Sequence, residues 1–98
     1  MALPEAIEAD HFGVRSFRVC GKIFATLRDE PTRLMVKLDP EDQHNLVEGR
    51  SDQIAAVPGY WGRKGSTFVD PASDLPFIEG LLRLAWSRAA PARLKRSA

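Results

Sequence analysis

The chain of 98 residues has one cysteine, Cys20. A lone thiol cannot close an internal disulfide, so the fold must stand on its core, and a reducing cytoplasm is the expected setting. Long apolar runs are missing: none approaches the roughly 20 residues that cross a bilayer as a helix. The first residues lack the basic-then-apolar pattern of a secretory signal. No membrane partner is expected. Charge of one sign is missing too, since 14 Lys and Arg against 13 Asp and Glu leave a formal net charge of +1. That is no nucleic-acid footprint by itself. Internal repeats and low-complexity tracts are absent.

Catalytic patterns are equally scarce. Gly62-Arg63-Lys64-Gly65 lacks the strand–loop–helix setting of a phosphate-binding loop. His44 and Glu48 stand four apart on a helical segment, a spacing that can put two metal ligands on one face, but no third ligand is near in sequence. Asp10 and His11 could join them only through the fold. Cys20 has Arg18 and Lys22 beside it, and cations favour a thiolate, but no histidine base is evident. No catalytic, metal or cofactor site is expected, and the chain is read as non-enzymatic.

The composition that remains is that of one soluble globular domain spanning residues 1–98, with 44% hydrophobic and 28% charged residues. Charges are unevenly spread. Glu5, Glu8 and Asp10 load the first segment with acid, whereas Arg83, Arg88, Arg93, Lys95 and Arg96 follow Glu79 with no acid among them. Cations at the end of a helix suit its dipole, and residues 91–98 are expected to be a basic tail.

The clearest structural signal is a period of two. Phe17 and Val19 alternate with Arg18 and Cys20; Ile23, Ala25 and Leu27 with Phe24, Thr26 and Arg28; Leu34, Val36 and Leu38 with Met35 and Lys37. Alternation of this kind predicts three antiparallel strands with one buried face. Gly21 supplies the positive φ of a tight hairpin, and residues 29–32 supply the next turn. Asp39 then caps and Pro40 opens a helix over 40–48, with Glu41 and Asp42 in its positive first turn. Residues 54–57 form a short apolar run of ambiguous type. Trp61 and Thr67-Phe68-Val69 are read as parts of two more strands around the Gly62–Gly65 turn. A last helix over 74–89 places Ile78, Leu81, Leu82, Ala85 and Ala89 on one stripe, bordered by Trp86 and stopped by Pro91. Helices and strands are segregated, which predicts a two-layer α+β domain with an antiparallel sheet and helices on one face.

Phe17-Arg18-Val19 with Gly21-Lys22-Ile23-Phe24-Ala25-Thr26-Leu27, then Lys37-Leu38-Asp39-Pro40-Glu41, Pro58-Gly59 with Trp61-Gly62-Arg63, and Leu84-Ala85-Trp86 before Ala90-Pro91 together resemble the MmcQ/YjbR family over nearly the whole chain. The resemblance implies an α-β3-α-β2-α domain of the CyaY-like or secretion-chaperone-like kind, described as a double-wing DNA-binding fold. Relatives have a longer first helix ending near the equivalent of Ala2-Leu3-Pro4, so residues 1–12 are expected to be the remnant of a truncated first helix. Many relatives also carry an aromatic near Ser66, which this chain lacks.

If the alternating aliphatics face the helices, the outer sheet face shows Arg18, Phe24, Thr26, Arg28, Met35 and Lys37. Basic residues interleaved with apolar ones suit backbone contacts with some stacking. Arg18, Lys22, Arg28 and Lys37, with Arg63 and Lys64 on the turn between strands as a wing, are the candidate nucleic-acid contacts. The expected partner is DNA, bound weakly and without sequence preference. The rival expectation is a protein-interaction module that pairs with itself through exposed apolar residues such as Phe24 and Met35.

Overall fold

The computed structural model describes residues 3–11, 14–28 and 32–95. Six strands form one antiparallel sheet: β1 (Ala6–His11), β2 (Val14–Val19), β3 (Lys22–Arg28), β4 (Arg33–Lys37), β5 (Ile54–Ala56) and β6 (Ser66–Val69). Their spatial order is β1-β2-β3-β4-β6-β5. The helices are α1 (Pro40–Gly49), α2 (Tyr60–Arg63), α3 (Leu75–Ala89) and α4 (Ala92–Lys95). Part of the expected 29–32 turn, the first two residues and the last three residues of the basic tail lie outside the described residues.

The two-layer α+β architecture holds. Helix α3 packs across β2, β3 and β4, while α1 lies against β5. Between the layers, Val19, Phe24, Ala25, Val36 and Leu38 are sealed from solvent, with Leu81, Ala85 and Trp86 of α3 above them. The indole Nε1 of Trp86 donates to the carbonyl of Pro4 at 3.0 Å, so this large side chain is both packed and satisfied. Helix α1 starts as its sequence dictates, with the Asp39 carboxylate accepting from the Glu41 N–H at 3.0 Å. At the β2–β3 hairpin both Cys20 (φ 48°) and Gly21 (φ 82°) adopt positive φ, as the primed two-residue turn requires.

Three expectations are corrected. Residues 6–11, read as the remnant of a first helix, form the edge strand β1, paired along its whole length with β2 from Ala6 opposite Val19 to His11 opposite Val14. Ala and Glu favour helix, but Ile7 and Ala9 alternate with Glu8 and Asp10, and the open edge of β2 decides the outcome. Phe24, assigned to the outer face, is fully buried. Phe17 pairs with Ala25 whereas Arg18 pairs with Ile23, so Phe24 is the extra residue of a β-bulge. The bulge turns Phe24 inward beside Ala25 and leaves Ile23, expected inside, on the outer face. Trp61, read as part of a strand, lies in the short helix α2; the fifth strand is the 54–56 segment. The connection from β5 to β6 contains α2, and two of its glycines make close backbone approaches. A Cβ on Gly62 would stand 1.6 Å from the Val57 carbonyl oxygen, and one on Gly65 (φ 109°) would stand 1.8 Å from that of Leu38. Only glycine allows these two approaches.

Candidate nucleic-acid interface

The outer face of the sheet is built from the residues that alternate with the core. Thr26, Met35, Phe68 and Ala55 stand in one cross-strand row, through the pairs Thr26–Met35, Met35–Phe68 and Ala55–Phe68. Ser66 stands opposite Lys37. The bulge adds Ile23 to this side. Helix α2 then raises Trp61 at the edge of the face, 62% exposed. The result is a groove of about 530 Å³ whose floor and wall include Ile23, Met35, Val57, Trp61 and Phe68. Arg28, Arg33 and Lys37 also line it, and the lining contains no carboxylate. The Arg33 guanidinium lies over the Phe68 ring, with Cζ 4.8 Å from its centroid.

One buried side chain holds this arrangement. Gln43, on the inner side of α1, donates through Nε2 to the carbonyls of Gly62 and Ser66, both at 3.0 Å, and to Thr67 Oγ1 at 3.1 Å. The Thr67 hydroxyl in turn donates to the Gly65 carbonyl at 3.0 Å. An amide NH₂ has two protons, so the three acceptors share them. These bonds tie α1 to the backbone on both sides of the Gly62–Gly65 turn and so fix the helix that carries Trp61.

The six expected contacts are divided by the fold. Arg28 and Lys37 line the groove. Lys22, exposed at the start of β3, joins Lys37 in a neighbouring cavity with Ile23, Arg88 and Ala89. Arg18 lies on the outer face between Ile7 of β1 and Ile23 of β3, where its Nε donates to Ser16 Oγ at 3.2 Å. It lines neither cavity. Arg63 and Lys64 are exposed at the end of α2, with Lys64 Nζ 5.5 Å from the Tyr60 ring centroid; they flank Trp61 but stay outside the groove.

Arg33, Phe68, Trp61 and Arg88 are additions that the strand alternation did not single out. For Arg33 the signal was present, since it shares the period-two face of Met35 and Lys37. Arg88 needed the tertiary fold.

Elsewhere, the Arg93 guanidinium pairs with Glu5 at 2.9 Å and is held above its ordinary pKa by that hydrogen bond and charge. The first cation of the basic tail is therefore engaged within the molecule, next to the Cys20 sulfur. His44 Nε2 lies 3.3 Å from Glu48 Oε1 on the exposed side of α1. Among the described residues no group of three or more His, Cys, Asp or Glu side chains could hold a metal ion, and no helix is long and apolar enough to cross a membrane.

The fold is similar to that of a solved Deinococcus radiodurans protein carrying the domain DUF419, with a TM-score of 0.66 and 26% sequence identity, covering 86% of this chain and 67% of that one. No curated protein matches. The family model YjbR matches residues 1–88, the span that holds the whole sheet, the groove and all but the last residue of α3, and the chain belongs to the YjbR family.

Proposed function

We propose that the chain is a non-enzymatic DNA-binding domain that uses the outer face of its sheet. The observation that carries this reading is the groove itself: a concave apolar floor with an exposed tryptophan at its edge, three cations around it and no carboxylate in its lining. The near-neutral total is unevenly spread: the groove lining holds no carboxylate, although Asp52 and Asp70 line the neighbouring hollow that shares Arg33 and Phe68 with it. Glu8 and Asp10 lie on the edge strand β1, Glu41, Asp42 and Glu48 lie on α1, and Glu79 lies on α3. Cations that meet phosphates release condensed counterions, so even three to five contacts give measurable affinity at low salt. Arg63 and Lys64, beside Trp61, are rim contacts in this reading.

The binding should be sequence-tolerant, with dissociation constants of about 10⁻⁴ to 10⁻⁶ M at physiological salt. Fluorescence anisotropy with labelled oligonucleotides over a salt series tests it. Replacing Arg28 and Lys37 with alanine should flatten the log–log salt slope by one to two phosphate contacts, and Arg63→Ala with Lys64→Ala by a similar amount. Absence of any shift at low salt would end this reading. A second reading has its own support: Ile7 is 59% exposed on edge strand β1, and Tyr60 is 56% exposed beside Trp61, apolar surface suited to a second copy of the chain. A stable dimer in sedimentation, with no DNA shift, would favour it.

A further inference from the structure

We propose that the outer groove is one half of a two-part site for single-stranded DNA, in which an unstacked base enters the groove and the phosphate chain leaves it past Lys37 into a second, cationic cavity. This inference rests on the DNA-binding reading above and specifies the form of DNA.

The second cavity has a volume of about 520 Å³ and is lined by Lys22, Ile23, Lys37, Arg88 and Ala89. It shares Ile23 and Lys37 with the groove, so the two meet along that pair. Three of its five lining residues are cations, and none is acidic. The combined track therefore presents Arg28 and Arg33, then Lys37, then Lys22 and Arg88. These come from the consecutive strands β3 and β4 and from α3, which is distant from both in sequence. No ion pair among the described residues engages any of the five.

The two halves differ in chemistry in the way that a single strand differs along its length. The groove offers flat and apolar surface: Trp61, Met35 and the Arg33–Phe68 pair. Its volume lies within the range of about 300–1,000 Å³ typical of small-ligand sites, which accommodates a nucleobase. The second cavity offers point charges. Bases stack on aromatic and guanidinium planes while phosphates follow cations, and this combination characterises single-strand binding. A duplex keeps its bases stacked inside. It could reach the cations, but it would leave Trp61 and the Phe68 floor without a partner.

Titrations of the full chain against labelled oligo(dT) and a duplex of equal length, followed by anisotropy and tryptophan fluorescence, test the proposal. Trp61 is exposed and Trp86 is buried, so quenching on binding reports Trp61. The single strand should bind about tenfold or more tighter than the duplex and quench the fluorescence. Trp61→Ala should weaken oligo(dT) binding roughly tenfold with the salt slope unchanged, because losing a stacked base releases no counterion. Lys22→Ala with Arg88→Ala should make the slope shallower by about 1.4, the value for two single-strand phosphates at about 0.7 each, and should leave the quenching in place. Arg83→Ala, on the exposed side of α3 and outside both cavities, should change neither property. Equal affinity for duplex and single strand, with both sets of variants behaving as wild type, would overturn the two-part site while leaving DNA binding intact. Absence of binding to either form would overturn both.

Discussion

Replacing Gln43 with methionine should be among the most damaging conservative changes in the molecule. Methionine nearly preserves the volume and helix propensity of glutamine, so α1 itself is spared. What is lost is the amide that serves the carbonyls of Gly62 and Ser66 and the hydroxyl of Thr67. Gln43 is only 8% exposed, and water cannot readily take its place. Two protons serve three acceptors, so about two hydrogen bonds disappear at about 0.5–1.5 kcal/mol each, while the Gly62 and Ser66 carbonyls keep the N–H groups of Gly65 and Val57. Thr67 keeps its existing bond to the Gly65 carbonyl, so the total is about 1–3 kcal/mol. That is a large share of the roughly 5–15 kcal/mol expected for a domain of this kind. With a urea m-value of about 1–3 kcal/mol per molar, the midpoint should fall by roughly 1 M at constant m. A double cycle with Thr67→Val should show coupling of about 0.5 kcal/mol or more between the two sites. A Gln43→Met variant within about 0.5 kcal/mol of wild type would refute the view that this amide clamps the α2 segment.

Trp86→Ala should destabilise the domain by about 3–5 kcal/mol in a urea or thermal melt, because a sealed indole and its bond to Pro4 are both removed. Gly62→Ala should cost at least as much as a typical core truncation, since the new Cβ would stand 1.6 Å from the Val57 carbonyl oxygen and the turn under Trp61 must move; circular dichroism melting reads the loss, and weaker oligonucleotide binding should accompany it. Cys20→Asn should raise the melting temperature by a few degrees, because Asn tolerates the positive φ of 48° better than Cys and the site is exposed.

The period-two runs of residues 17–38 announced three strands because one face of each had to be apolar, and Asp39-Pro40 announced α1 because cap and first-turn chemistry are local. The failures have local propensity in conflict with a partner. Residues 6–11 carry helix-favouring Ala and Glu, yet the edge of β2 recruits them. The 22–28 run alternates perfectly on paper, but the bulge at Phe24 breaks the parity, and no residue nearby advertises it. In the candidate site, Arg28, Lys37 and Lys22 were legible from alternation and turn position. Arg88 and Trp61 were not, since one depends on where α3 crosses the sheet and the other on a coil that only Gly62 and Gly65 permit. Gln43 carried no signal at all: a glutamine in a polar helix is ordinary until its acceptors are known.

The bulge also bears on how the chain could change length. In a regular strand, removing one residue sends every side chain beyond the gap to the opposite face. Here Arg18 already stands opposite Ile23 and Phe17 opposite Ala25, with Phe24 passed over by the ladder. Excising Phe24 would leave both pairings as they are and keep Ile23 on the groove side and Ala25 in the core. The penalty would be confined to one lost aromatic rather than an inverted strand. Position 24 is thus a point in the sheet where a single-residue deletion preserves the pattern of both faces.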